Sequence, residues 1–387
     1  MQLLKNNVCA PKGFKALGKA AGIKKSGNLD LAVIYSDKLA DAAAVYTSNK
    51  VKGAPLILSK KHLSNGKAQA IIVNSGIANV CTGKIGIKNA EDTAKIAAKE
   101  LEINAVDVLV ASTGLIGAYL PMDKIKSGLN GIKKALTANS SAAKAIMTTD
   151  TIEKEIAVKI GNFTIGAIAK GSGMIHPNMA TMLCFITTDA KISSKKLVKF
   201  LKNSVSKSFN MMSVDMDTST SDMAIILANG LAGKVDENKF QNALDYVCME
   251  LAKKIARDGE GATKLVEVEV KNAATKSDAQ KLAKSIIASS LVKCAIFGND
   301  PNWGRLMCAM GNSNAKFKEN LVDIYFGRGQ IVKNGTASNF NLEKIRKLMD
   351  TGTLKITIDV RQGKESATAY GCDMTYDYVK INARYST

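Results

Sequence analysis

Short, nearly continuous apolar runs that stop at glycine or other turn-forming residues constrain this chain most. They suit inner strands of a covered sheet and are too short to be membrane helices. DLAVIYSD (30–37), AQAIIVNSG (68–76), VDVLVAS (106–112) and TMLCFITT (181–188) have this form. Strands of that kind need cover, and apolar residues at helical spacing supply it at 90–103, near 194–208, at 237–257 and at 277–290. SSAAKAIM (140–147) reads as helix, a shorter helix is predicted at 341–350, and Pro121 sits where another can begin. EIAVKI (155–160) and TIGAIAK (164–170) predict a hairpin about Gly161-Asn162. LVEVEVK (265–271) alternates, so one face is expected to meet solvent, and LVDIYF (321–326) and LKITIDV (354–360) add strands. The mixture predicts an α/β or α+β fold, a layered sandwich of mixed sheets flanked by helices. No linker rich in Pro, Gly or Ser divides the chain and no internal repeat is found.

A chain of 387 residues allows one large or two closely packed domains. Hydrophobic residues at 46% and charged residues at 23% exclude disordered and collagen-like classes. The 54 Lys and Arg against 34 Asp and Glu give +20, which raises the question of nucleic acid. The excess lies on helix faces such as KISSKKLVKFLKNSVSK (191–207), with few aromatics to stack bases. A solvated lysine surface is therefore expected, with no nucleic-acid partner, and the same field attracts small anionic substrates. The start, MQLLKNNVCAPKGF, lacks the order of a secretory signal, and no apolar stretch approaches membrane-span length, so a cytoplasmic protein without membrane attachment is expected. Seven scattered cysteines without a CxxC pair predict a reducing compartment and no structural zinc.

The most informative stretch is KGSGMIHPNMATMLCFITTDA (170–190). Gly171, Ser172, Gly173 and Pro177 lead to small Ala180, and Thr181 follows at the mouth of an apolar strand. A threonine hydroxyl is a weak nucleophile until a base takes its proton. An N-terminal threonine carries its own base, an α-amine whose pKa is about 7.7 to 8.0. Thr181 gains such an amine only if the peptide bond before it breaks. Its hydroxyl would attack the Ala180 carbonyl, form an ester by N-to-O acyl shift, and let water release the amine. Scarce histidine supports this route, since a Ser-His-Asp triad would need His62 or His176, the chain's two histidines. His62 reads as exposed. His176 is a candidate for proton transfer during cleavage, with a turn or surface contact as the simpler reading.

These residues resemble the ornithine acetyltransferase family, whose members move acetyl from N-acetylornithine to glutamate. The resemblance runs through TSNKVKGAP (47–55), VNSGIANVCTG (73–83), ASTGLIG (111–117), IMTTDT (146–151), KGSGMIHPNMATML (170–183), SVDMDTSTSD (213–222), DGEGATK (258–264), FGNDPNWGR (297–305) and VKINARYST (379–387), covering essentially the whole chain. It implies an N-terminal-threonine nucleophile fold with Thr181 as nucleophile and Ala180-Thr181 as the self-cleavage bond. An α chain of 1–180 and a β chain of 181–387 would share one fold and assemble as two α and two β. Thr113 and Gly114 match the oxyanion-stabilising pair; VDVLVAS runs straight into them. Thr148, Lys170, Thr181, Glu260, Asn382 and Thr387 match substrate contacts, although Thr148, Thr149 and Thr151 compete for one of these places. No cofactor is implied, and acetyl-CoA is left open as a second donor. A self-cleaving amidase or aminopeptidase with water as acceptor is the alternative. Taken singly, Thr113-Gly114 is a common turn pair, Lys170 one surface lysine among many, and Asp258 with Glu260 a helix-ending turn.

FGNDPNWGR holds the single tryptophan, Trp303, in a loop expected to cap a helix through Asn299 or Asp300. Asp215, Asp217 and Asp222 lack the glycine and glutamate of a calcium loop, so no metal is expected. The chain departs from the family pattern at Met216, where glycine is common, at Ser221 and at Ile77. A methionine at a glycine position forces a changed backbone wherever that position needs positive φ.

Overall fold

The computed structural model describes residues 1–5, 7–138, 141–176 and 182–384. Among these, two sheets carry the fold. Along the nine-stranded sheet the order is Gln2–Leu4, Lys154–Ile160, Phe163–Lys170, Leu183–Ala190, Met223–Gly233, Leu31–Tyr46, Lys67–Ile77 and Val108–Leu115, with Phe14–Lys19 paired to Leu31–Tyr46. The expected α/β layering is thus present. Every residue of Leu183–Ala190 is buried, and the strand runs antiparallel to Phe163–Lys170 and parallel to Met223–Gly233. Its polar end is satisfied, as Thr187 donates to the Val8 carbonyl and Thr188 to that of Thr164, both at 2.7 Å.

The seven-stranded sheet has the order Thr336–Ala337, Gly329–Lys333, Asp323–Phe326, Thr353–Asp359, Leu265–Ala273, Glu365–Cys372 and Met212–Ser213. Helix Glu237–Arg257, capped by Asp236 accepting from the Lys239 amide at 2.9 Å, lies between the sheets. Its Phe240, Leu244, Leu251 and Ile255 share a core with Ile165 and Ile186 on one side and with Tyr370 and Cys372 on the other. Val266, Val268 and Val270 point the opposite way, onto helix Lys276–Ala288. The alternation read in 265–271 is real, and its polar face is partly open to solvent, with the Glu267 and Glu269 side chains 20% and 22% exposed and that of Lys271 45% exposed. Glu267 pairs with Lys253 of the intervening helix at 3.1 Å and Glu269 with Lys355 at 2.8 Å.

Helix Gly83–Leu101 covers the Lys67–Ile77 and Val108–Leu115 strands through Ala90, Ala94, Ala97 and Leu101. Two expectations need correction. Only Ala142–Ala145 of the segment read as a longer helix is helical among the described residues, since Ala142, Ala143, Ala145 and Ile146 are drawn into the core and the chain then turns away. Helix Trp303–Gly311 is capped by Asn302, which accepts from the Arg305 amide at 3.2 Å, rather than by Asn299 or Asp300. No helix of the described residues is long and apolar enough to cross a membrane.

Candidate active site

Two glycine-containing strings meet where parallel strands end: Ser75 pairs with Thr113, and Gly76 with Gly114. Both glycines have left-handed φ, +109° and +123°, and a Cβ on Gly114 would lie 2.3 Å from the Gly76 carbonyl carbon. Only glycine fits, and its amide is delivered to the strand mouth. Gly114→Ala is expected to spread the strands and misplace that amide; if the amide is the oxyanion donor that the resemblance implies, kcat falls by roughly 10²- to 10³-fold, which steady-state kinetics and thermal unfolding on the same preparation check. Beside it the Thr113 hydroxyl accepts a hydrogen bond from Lys170 Nζ at 3.1 Å. An ammonium can only donate, so the hydroxyl proton of Thr113 stays available to a developing oxyanion.

Lys170, at the end of Phe163–Lys170, is held over a buried charge cluster. Lys154 is fully buried and pairs with Asp150 Oδ1 at 2.6 Å and Asp258 Oδ2 at 2.5 Å. Asp150 also accepts from the Gly171 amide at 2.7 Å and the Thr148 amide at 2.9 Å. Asp258 accepts from the Thr151 amide at 3.0 Å and from its hydroxyl, while its carbonyl accepts from Ser172 at 2.7 Å. The cluster pins 148–151, the Gly171–Ser172 turn and the end of helix Glu237–Arg257 together. Burial would push the Asp150 carboxyl up, yet the Lys170 and Lys154 charges and its donors hold it down, to about 2. Burial pushes the Lys170 ammonium down, opposed by Asp150, Asp222 and Glu260.

A cavity of about 270 Å³ opens over these groups, lined by Thr113, Gly114, Thr148, Thr149, Lys170, Asp222, Glu260 and Asn382. Six of the residues singled out in the sequence therefore converge: Thr113, Gly114, Thr148, Lys170, Glu260 and Asn382. Ala180, Thr181 and Thr387 lie outside the described residues, while Met182 and Leu183, next in sequence after Thr181, line the cavity. Among the competing threonines, Thr148 and Thr149 face the cavity and Thr151 is committed to Asp258. Glu260 is 8% exposed and accepts from Asn382 Nδ2 at 2.8 Å, while Asn382 rides on helix Tyr376–Ala383. A wider cavity of about 620 Å³ adjoins, sharing Gly114, Leu115, Thr148 and Thr149 and edged by Lys24, Lys25 and Lys144. Facing cation and carboxylates suit substrates that carry both charges.

Asp150 and Lys154 escaped the sequence reading, and Asp222 entered it only as part of a failed calcium pattern. Asp150 and Lys154 stand four apart, an ordinary spacing, and their partner Asp258 is 104 residues beyond Lys154. Asp215, read only as part of a failed calcium pattern, accepts from the amides of Met174 at 2.6 Å and Ile175 at 2.8 Å and so ties down the loop before Pro177. Among the described residues no group of three or more His, Cys, Asp or Glu side chains gathers as metal ligands would. Met216 has φ +69°, so the loop keeps a left-handed backbone and accepts the methionine side chain. Ser221 lines the smaller cavity and Ile77 the larger.

The histidines stand apart. His62 is half-buried, with Nδ1 2.8 Å from the Val108 carbonyl, because the end of helix Ala54–His62 packs on that strand. His176 Nδ1 lies 3.0 Å from Ser213 Oγ, outside the Lys170 cavity; burial, with Lys284 nearby, pushes its pKa down to about 4. A base with a depressed folded pKa keeps its contribution above its unfolded value and loses it as pH falls. His176 should therefore draw stability down between about pH 6.5 and 4, and a His176→Gln variant should show a shallower acid decline in urea titrations over that window.

The ArgJ family profile matches residues 15–387. The chain is 48% identical over 404 residues to the arginine biosynthesis bifunctional protein ArgJ of Caldanaerobacter subterraneus subsp. tengcongensis, covering 100% of both chains. It is 49% identical over 389 residues to ArgJ 1 of Clostridium acetobutylicum, covering 96% of this chain and 95% of that one. A crystal structure of the arginine biosynthesis bifunctional protein argJ from Bacillus halodurans is 42% identical with a TM-score of 0.50, covering 51% of this chain and 96% of that chain.

Proposed function

Because this chain belongs to the ArgJ family, we propose that it is an acetyltransferase of arginine biosynthesis that moves acetyl from N2-acetyl-L-ornithine to L-glutamate on Thr181, after autocatalytic cleavage at Ala180-Thr181. One observation carries the reading. The Thr113 hydroxyl, the Gly114 amide, Lys170 and Glu260 surround a single cavity whose wall continues into the residues following Thr181.

The freed Thr181 amine takes the hydroxyl proton as the oxygen attacks the acetyl carbonyl. Thr113 and Gly114 donate to the oxyanion, and collapse leaves an acetyl ester and free ornithine. The glutamate amine then attacks that ester and regenerates the threonine. Thr148, Lys170, Glu260, Asn382 and Thr387 hold the two amino acids in turn, and no cofactor is required. Fragments 1–180 and 181–387 stay together because Leu183–Ala190 and Met223–Gly233 are hydrogen-bonded between strands of the first fragment. The half-length of the solved Bacillus halodurans chain fits such processing. Two copies of each fragment form the assembly, and the enzyme works in the cytoplasm.

Acetyl-CoA is a candidate second acetyl donor, since the lysine-edged cavity beside the site suits its anionic groups. The rival hydrolase would use water instead of glutamate. Intact mass of the purified protein should give two fragments, the heavier beginning at Thr181, and ornithine release from N-acetylornithine should need glutamate for sustained turnover. Release at an undiminished rate without glutamate would make the protein an amidase.

A further inference from the structure

We propose that Asp222 is a further catalytic residue, giving a proton from Oδ2 to the leaving amine and taking it back from the incoming one. Four observations place it. Asp222 lines the cavity with Lys170 and Thr113. It is 4% exposed, and its Oδ2 has no hydrogen-bond partner among the described residues. The amide of Met223, the next residue, donates to the Met182 carbonyl at 2.9 Å, which sets Asp222 beside the strand that carries the reacting end. Ser221 Oγ, also in the cavity wall, is likewise unpartnered. Buried polar atoms without partners are scarce in folded proteins, and two adjacent ones at a cavity wall point to a ligand that completes them.

The surrounding charges allow both protonation states. Lys170 is the cation that favours the charged carboxylate, with Asp150 and Lys154 behind it and Glu260 across the cavity. The Ser219 amide and hydroxyl also favour the charged form, while burial outweighs them and raises the pKa. Burial thus favours the protonated carboxyl, while the Ser219 donors and the Lys170 charge favour the carboxylate once it forms.

The inference rests on the Thr181 reading, and the protons balance within it. In the first half-reaction the threonine proton passes to its own amine, the Thr181 Oγ–acetyl bond forms, and the amide C–N bond breaks as its nitrogen takes the Oδ2 proton. In the second, the glutamate nitrogen bonds the acetyl carbon and gives a proton to the Asp222 carboxylate. The ester C–O bond breaks, and the threonine oxygen recovers its proton from the ammonium.

The test compares two acetyl donors on wild type and Asp222→Asn. N-acetylornithine needs a proton on its leaving nitrogen, whereas 4-nitrophenyl acetate releases a phenolate that needs none. With N-acetylornithine and glutamate, kcat should fall roughly 10²-fold or more with little change in KM, the scale of a lost general acid. Acylation by 4-nitrophenyl acetate should stay within about threefold of wild type, on the same view that only the nitrogen leaving group needs the acid. Equal losses with both donors, or none, overturn the role. Should Asp222→Asn fail to cleave, Asp222→Glu, which keeps a proton-carrying carboxyl, replaces it; it should retain transfer from N-acetylornithine relative to the ester, and an equal fall for both donors overturns the proposal. In wild type, either donor must acetylate the fragment beginning at Thr181. Its absence would refute the nucleophile itself, whereas acetylation with unchanged Asp222→Asn kinetics refutes Asp222 alone.

Discussion

Thr181→Ala is expected to leave a single 387-residue polypeptide and to lower turnover by about 10⁶-fold, the scale of removing a nucleophile. Both losses have one cause, since alanine has no oxygen to attack either the Ala180 carbonyl or the substrate. Thr181→Ser keeps that oxygen and should retain both cleavage and transfer. Denaturing mass spectrometry and an ornithine-release assay read the two effects separately. A Thr181→Ala protein that still divides at this bond would show that cleavage does not need the threonine hydroxyl. One that stays whole yet turns over substrate would leave the amine-activation scheme without its base.

Lys154→Met should have the largest effect on stability. Lys154 and Asp150 side chains are fully buried and Asp258 is 5% exposed, so the substitution strands two carboxylates away from water. Breaking a buried pair on one side typically costs about 3–5 kcal/mol. Urea unfolding at neutral pH should show a loss of that order. The sign of the pH dependence follows from the carboxylates. In the wild type Asp150, held at about 2, contributes stability above its unfolded pKa and loses it only as pH falls through that value. Without Lys154, one of the charges that oppose burial at Asp150 is gone and burial favours protonation of that carboxyl, so the deficit of the variant should shrink as the solution is acidified from pH 7 toward 5. Adding Asp150→Asn and Asp258→Asn should recover much of the loss, since the stranded charge is then gone. A deficit that is flat with pH would assign the effect to lost packing.

The helices and strands were legible because their signals are local. Helix Glu237–Arg257 and the hairpin Lys154–Ile160 with Phe163–Lys170 lie within a residue or so of where apolar spacing and the Gly161-Asn162 turn place them. Of the site, Thr113, Gly114, Lys170, Glu260 and Asn382 were found through strings of sequence, and the structure brings them to one cavity. Periodicity alone could not do this, because Glu260 and Lys170 meet only after a helix and several strands have packed. The burial of Asp150, Lys154 and Asp222 was illegible for the same reason: an aspartate or lysine looks the same in sequence whether it is solvated or sealed in.

The chain alone therefore determined which segments become inner strands and which helices cover them, and its scarcity of histidine pointed to an amine-activated threonine. Tertiary structure decided the rest. It threaded Leu183–Ala190 and Met223–Gly233 through the middle of a sheet begun by residues before Thr181, set Gly76 against Gly114, and closed Asp150, Lys154 and Asp258 into one buried cluster. Local propensity acts over a few residues, whereas the free energy of a buried charge or a close backbone approach depends on which distant residue arrives beside it.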